Sequence, residues 1–279
     1  NDAVSAAETS DQATEPGVLE AIQHLKDVQA KAAADSSDAL TDDIKQAIND
    51  LAAAQEAAKQ NQQAARDAAA QAIVDSQPVS NEATVTKARD ALNQLLQDPS
   101  SSTADIEKAT DALIAANTAE QTKRDTINQQ ADAYETKVAN SNQREEPAVQ
   151  AALDALQELQ DEAATDSPDA LTADIANALD ALRTAVTQAA KDQAEARDNA
   201  ADALADLAPV SNEPAVQAAK DALDALLSDS TSTADDIKQA TQDLLNATSD
   251  AKAERTTANT NAQNAMTDAQ NSKQADEQA

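Results

Sequence analysis

Apolar side chains recur along this chain at steps of three and four residues. Val18, Ala21, Leu25 and Val28 form one run, and the same spacing returns at Val85, Ala88, Leu92 and Leu95. It returns again at Val149, Ala152, Leu156 and Leu159, and at Val216, Ala219, Leu223 and Leu226. Such steps place all four side chains of a run on one stripe of a helix. After each run comes a polar loop and then a second motif: Ile44, Ala47, Leu51; Ile106, Ala109, Leu113; Ile175, Ala178, Leu182; and Ile237, Ala240, Leu244. The Val and first Leu of each short run, with the Ile and Leu of each second motif, are the expected core. Glu15, Glu82, Glu146 and Glu213 stand just before the short runs, three of them followed by Pro, as suits a helix start. Thr41, Thr172 and Thr233 precede the second motifs as N-caps, with Ser102 or Thr103 in that role in the second copy.

The runs belong to a tandem duplication. Glu15-Pro16-Gly17-Val18 matches Glu146-Pro147-Ala148-Val149, and Asp38-Ala39-Leu40-Thr41 matches Asp169-Ala170-Leu171-Thr172, an offset of 131 residues that continues without a gap. Each unit divides into two related modules. The stretches from Thr41, Thr103, Thr172 and Ala234 continue for about 36 residues with no Pro or Gly, rich in strong helix formers. Helices of that length span about 54 Å, twice their short partners. A short helix covers only half of a long one, so each long helix serves two bundles. The expected fold is all-α: tandem three-helix bundles sharing long continuous linking helices in a spectrin-like elongated rod. The bundles are expected at 1–59 (first helix truncated), 60–121, 122–191 and 192–251, with 252–279 opening a further repeat. Each adds roughly 27 Å of length. Residues 1–14 align with 132–145, and the chain opens on Asn with no leader, so it reads as an excerpt from a longer array.

Composition narrows the chemistry. Acidic side chains number 51 against 20 basic ones, a net charge of −31, which argues against nucleic acid and anionic membranes. No apolar run approaches the length of a membrane span. The chain has no Cys, Trp or Phe, one Gly, one His and one Tyr. That removes disulfides, thiolate metal sites, cysteine nucleophiles and glycine-rich phosphate loops. Ala supplies most of the apolar fraction, which suits thin helical bundles and not a thick core. No enzymatic activity and no cofactor are expected.

The remaining candidates have structural readings. His24 has Ala155 as its counterpart and reads as a surface histidine, since one imidazole makes no metal site. Tyr134, opposite Ala265, reads as a local packing residue. The acidic loops 35–43 and 166–174 lack the Gly and terminal Glu of a calcium loop and read as helix caps. Arg66, Arg124, Arg197 and Arg255 recur once per module and read as intramolecular ion-pair partners, three of them followed by Asp67, Asp125 and Asp198. With no apolar pocket expected, no carboxylate pair is nominated for acid–base work.

The run from Thr41 through Ile44 and Ala47 to Leu51 resembles the FIVAR-type repeats of giant extracellular-matrix-binding proteins on Gram-positive cell surfaces. The copies at 103–113 and 172–182 are similar, and Ala234 replaces Thr in the last. The resemblance implies a three-helix rod on a bacterial cell wall, extracellular and anchored through regions outside this chain. The first functional expectation is therefore a monomeric stalk or spacer that projects a distal domain. The alternative is an adhesive repeat that binds a host matrix protein or glycan, weakly per repeat but with avidity. A disordered or stress-protective polyanion that folds only when dried or bound, or an exchangeable lipid-binding array, fits the strict stripes less well.

Overall fold

The computed structural model describes the backbone of residues 2–34 and 41–278, and side chains as far as residue 272. Among the described residues it is all-helical, with no strand. The helices are α1 (Asp2–Glu8), α2 (Pro16–Ala33), α3 (Thr41–Asp75), α4 (Ala83–Gln97), α5 (Thr103–Ala139), α6 (Pro147–Ala164), α7 (Thr172–Ala205), α8 (Pro214–Ser228) and α9 (Ala234–Gln278). Short helices of 15 to 18 residues alternate with long ones of 34 to 45.

Local chemistry sets these boundaries. Glu15, Glu82 and Glu213 sit in extended backbone just before their helices, with Pro in the first turn of α2 and α8. That ring lacks an N–H where none is needed. At the long helices Ser102 Oγ accepts the Asp105 N–H (3.1 Å) and Thr233 Oγ1 accepts the Asp236 N–H (3.2 Å), so both act as N-caps. Thr172 instead begins its helix, one place inside the cap position. Two residues past the end of α6, Asp166 stands at φ 57°, a left-handed stop usually made by Gly. The Ser167 N–H then reaches back to Glu162 O.

The chain divides into two compact units, one of Asn1–Gln129 with Glu158–Ala176 and the other of Gln130–Gln157 with Asn177–Ala279. In the first unit, one core joins Val4 and Ala7 of α1, Val18, Ile22, Leu25 and Val28 of α2, and Ala47, Leu51 and Ala58 of α3. A second joins Ala65, Ala69 and Ala72 of the same α3 to Val79, Val85, Leu92, Ile106 and Leu113. α3 thus serves two cores, one with each half. In the second unit, α7 brings Ala196, Ala200 and Ala203 against Leu207, Val210, Val216, Leu223, Ile237, Leu244 and Ala251. The fully buried residues that the second halves of α3 and α7 bring to these clusters are all Ala, with Ile73 and Leu204 packed at the margin, so α4 and α8 can approach closely while their own Val and Leu fill the space. Residues 122–191, expected as the third bundle, are shared between the two units.

The expected core residues Val18, Leu25, Leu51, Val85, Leu92, Ile106, Leu113, Val149, Leu156, Ile175, Leu182, Val216, Leu223, Ile237 and Leu244 are all buried. Ile44 differs: it is only half-buried and packs at the margin of the first core. Its counterparts Ile106, Ile175 and Ile237 have no exposure. Ile44 lies in the first turn of α3, whose N-terminal residue Thr41 is exposed, whereas Thr172 and Ala234 are buried under a neighbouring glutamate. Ile22, outside the expected stripe, is buried, while Ala21 is half-buried.

Outer faces meet the acidic excess with amides. Gln23, Gln46, Gln63, Gln71, Gln188, Gln217 and Gln239 each donate to an Asp four residues later. Such i, i+4 pairs support a helix without requiring a cation.

Candidate functional site: the junctions between cores

The polar interior of this protein is concentrated where one core gives way to the next along a long helix. At the middle of α3, Gln62 interrupts the alanine stripe and is 6% exposed. Its amide N–H groups donate to Pro99 O (3.0 Å) and Ser101 O (2.7 Å), and its oxygen accepts from the Gln12 amide (3.1 Å). Those partners belong to two loops, one before α2 and one before α5. Beside them the Glu15 carboxylate accepts both the backbone N–H and the hydroxyl of Thr103, at 2.7 and 2.8 Å. A residue at the start of one short helix therefore caps a long helix 88 positions away. An anionic acceptor at free N–H groups also suits the helix dipole.

The arrangement recurs. In the second unit Gln193 donates to Asn142 O and Ser232 O and accepts from Gln143, while Glu146 accepts the Ala234 N–H at 2.7 Å. Between these two junctions lies a variant in the first unit. Arg124 replaces the glutamine and donates to Pro78 O (2.7 Å) and Ala170 O (2.6 Å). Glu82 accepts the Thr172 N–H at 2.7 Å, and Asn81 donates to Asp169 at 2.9 Å. Arg124 is 6% exposed, and burial lowers its pKa below the ordinary value against the opposing fields of Glu82, Asp166 and Asp125. A guanidinium stays charged through such a shift.

These contacts correct the expectation for the four arginines. They occupy two positions, not one. Arg124 and Arg255 stand where Gln62 and Gln193 stand in the other modules, twenty-one residues into each long helix. Arg66 and Arg197 lie four residues further on. Arg66 donates to Leu96 O and Asp98 O, and Arg197 to Leu227 O and Asp229 O, closing the C-terminal ends of α4 and α8. Arg255 donates to Pro209 O. None of the four takes part in an ion pair found among the described residues; Asp67 accepts from Gln63 instead. Free carbonyls at a helix end are a fixed set of acceptors that a forked guanidinium matches with two bonds.

His24 is exposed. Tyr134 is half-buried, with Lys137 and Arg183 over its ring at 5.5 and 5.6 Å, a local contact of the second unit. Of the first acidic loop, 35–40 lies outside the described residues. Among the described residues no group of three or more His, Cys, Asp or Glu is arranged to hold a metal ion. No helix among them is long and apolar enough to cross a membrane.

A cleft does exist where none was expected. It has a volume of about 570 Å³ and is lined by Ala83, Thr84, Glu120, Lys123, Ile127 and Thr172, among others. Glu120 accepts from Thr84 Oγ1 (2.6 Å) and Lys123 Nζ (2.9 Å). The Thr84 bond, then Lys123, hold its pKa below the ordinary 4.5 despite burial. It is therefore ionised near neutrality and is not poised as a proton donor. Its bonds stabilise the fold above pH 4.5, and that contribution is lost as pH falls through the lower folded-state pKa. Thr84→Val should lower the melting temperature at pH 7, with the difference from wild type shrinking below pH 4.5. A difference that stays constant from pH 7 to the acid limb would refute this assignment. No protein-family model, curated protein or solved structure matches this chain.

Proposed function

We propose that the chain is a repetitive stalk or spacer segment of a bacterial cell-surface adhesin, extracellular and held at the cell wall by regions outside it. The observation that carries this reading is the junction chemistry. A spacer has to resist bending where its bundles meet, and a continuous helix alone bends under load. At each junction a buried Gln or Arg on the long helix binds loop carbonyls, and a glutamate caps the next long helix. The polar interior is thus spent on alignment between neighbouring cores, and the acidic surface keeps parallel copies apart. The FIVAR-type resemblance supports the same reading.

Small-angle scattering on dilute protein should give a monomer with a maximum dimension on the order of 100 Å or more, at ~1.5 Å per helical residue. A compact profile would reject a stalk. The adhesive alternative finds one feature in its favour, the cleft beside Ile127. The repeat does not carry that feature forward: one repeat length on, Ile127 and Thr84 become Ala258 and Ala215. Saturable binding to an immobilised matrix protein or glycan, abolished by Ile127→Lys, would favour adhesion instead.

A further inference from the structure

Each unit carries a groove at the same place in the repeat. In the first unit it lies between the second half of α3 and the first half of α5 and has a volume of about 580 Å³. Ala65, Ala68, Glu107, Thr110, Asp111 and Ile114 are among its lining residues. In the second unit it lies between the second half of α7 and the start of α9, with a volume of about 500 Å³. Asp202, Ala203, Asp206, Lys238, Thr241 and Leu245 are among the residues there. Thr241 and Leu245 are the repeat counterparts of Thr110 and Ile114. No residue of α4 or α8 lines either groove, so the short helix of each bundle leaves this side open.

Ile114 is 49% exposed and Leu245 43%. Scattered exposed aliphatics are normal. Leu19, Ile48 and Val74 are of that kind: one repeat on stand Gln150, the buried Leu179 and Ala205. Ile114 and Leu245 instead recur in the same groove while the residues around them diverge. Glu107 becomes Lys238, Asp111 becomes Gln242 and Ala68 becomes Asn199. Carboxylates are kept too, although they change walls, from Glu107 and Asp111 on α5 to Asp202 and Asp206 on α7. Among the described residues Glu107, Asp111 and Asp202 enter no ion pair and accept no hydrogen bond, unlike the aspartates served by glutamine. Asp206 is held by Lys252, and Lys238 by Asp235. Thr110 and Thr241 spend their hydroxyls on Ile106 O and Ile237 O. What each groove leaves open is an aliphatic side chain beside unpaired carboxylate.

We propose that these two grooves dock a cationic amphipathic helix of a partner protein. Its aliphatic stripe packs on Ile114 or Leu245, and its Lys and Arg side chains meet the free carboxylates. The alanines of the α3 and α7 walls let a further helix approach closely, and the stretch from Thr103 to Ile114 offers it about 16 Å of length. Charge selects this occupant, because a chain of net charge −31 repels an anionic partner or a second copy of itself. Each groove lies within one unit. The inference stands apart from the stalk reading, since a spacer is a spacer with or without a docked helix.

The test titrates a labelled Leu/Lys peptide of about 18 residues, long enough to form a helix with one leucine stripe, into the full chain at about 0.15 M salt. A scrambled peptide of the same composition, without the stripe, measures binding by charge alone. The striped peptide should bind at least about fivefold more tightly than the scramble. Ile114→Ser with Leu245→Ser should erase that advantage while circular dichroism and melting stay unchanged, both side chains being well exposed. The exchange Ile114→Leu with Leu245→Ile should keep it, and so should Ile48→Ser with Val74→Ser, outside both grooves. In the Leu245→Ser chain, Glu107→Gln with Asp111→Asn should weaken binding several-fold more than Glu158→Gln with Asp161→Asn, which remove the same charge from the exposed face of α6. Equal binding of stripe and scramble would overturn the proposal. So would an advantage that survives Ile114→Ser with Leu245→Ser, or the same loss from the two pairs of carboxylate variants.

Discussion

Replacing Arg124 by Ala is expected to destabilise the first unit by about 3 kcal/mol, from two charge-assisted bonds at roughly 1.5 kcal/mol each. The change leaves Pro78 O and Ala170 O without their donor, and Ala170 is fully buried, so water does not readily take the place of the guanidinium. Removing the cation also exposes Glu82, Asp166 and Asp125 to one another without the charge that they surround. The repeat itself suggests the conservative variant. Gln62 and Gln193 bind two loop carbonyls each from the same helix position, so Arg124→Gln should retain a large part of the stability. Thermal unfolding gives the magnitude, and amide exchange at Thr172 and the first turn of α7 gives the location. A loss under about 0.5 kcal/mol for Arg124→Ala, the range of an ordinary surface change, would show that the junction is not held by this side chain.

The other large effect is expected in the second core. Leu113→Ala should cost about 3 kcal/mol, within the range for a buried Leu. Leu113 has no exposed surface and packs with Val79, Val85, Leu92 and Ile106 against a wall of Ala65, Ala69 and Ala72. Those alanines have no longer rotamer with which to reach into the void, and α3 cannot move inward without disturbing the core built on its other half. The cavity therefore stays largely open. Ile114→Ala, one residue on but 49% exposed, is the control and should cost well under half as much. Denaturant unfolding of both variants decides the matter. Similar losses would mean that the core is not organised around the Leu113 stripe. In a repetitive helical chain the loss should show first as a separate early transition.

The helices were legible because their signals are local. The three-four steps at Val18–Val28 and Ile44–Leu51, and the absence of Pro and Gly from the long stretches, depend only on neighbours within one or two turns. Thr233, and Ser102 as one of two alternatives with Thr103, were readable as caps for the same reason, whereas Thr172, read the same way, is the first residue of its helix. The junction residues were not legible in that way. Gln62 and Gln193 look like ordinary polar residues in an Ala- and Gln-rich stretch, although their recurrence at the repeat distance, inside a buried stripe, was a signal available to find them. The four arginines were misassigned because counting one per module hides the four-residue shift between Arg124 and Arg66. An Asp following an Arg also suggests a pair that a helix does not make: residues i and i+1 point in different directions.

Composition and periodicity were enough for the all-helical class, the duplication and most of the buried Val, Leu and Ile positions, though not for Val4, Ile22, Val79, Val138, Leu179, Leu207 or Val210, since a helix must bury its apolar stripe whatever it packs against. The partner of each polar group was a different kind of question. Glu15, Glu82 and Glu146 are acceptable helix starts in isolation, yet each reaches a backbone N–H 88 to 90 residues away. That pairing exists only because the long helices bring two distant loops to one place. A carboxylate's hydrogen-bond partner is set by distance in space, and nothing in its own stretch of sequence encodes that distance.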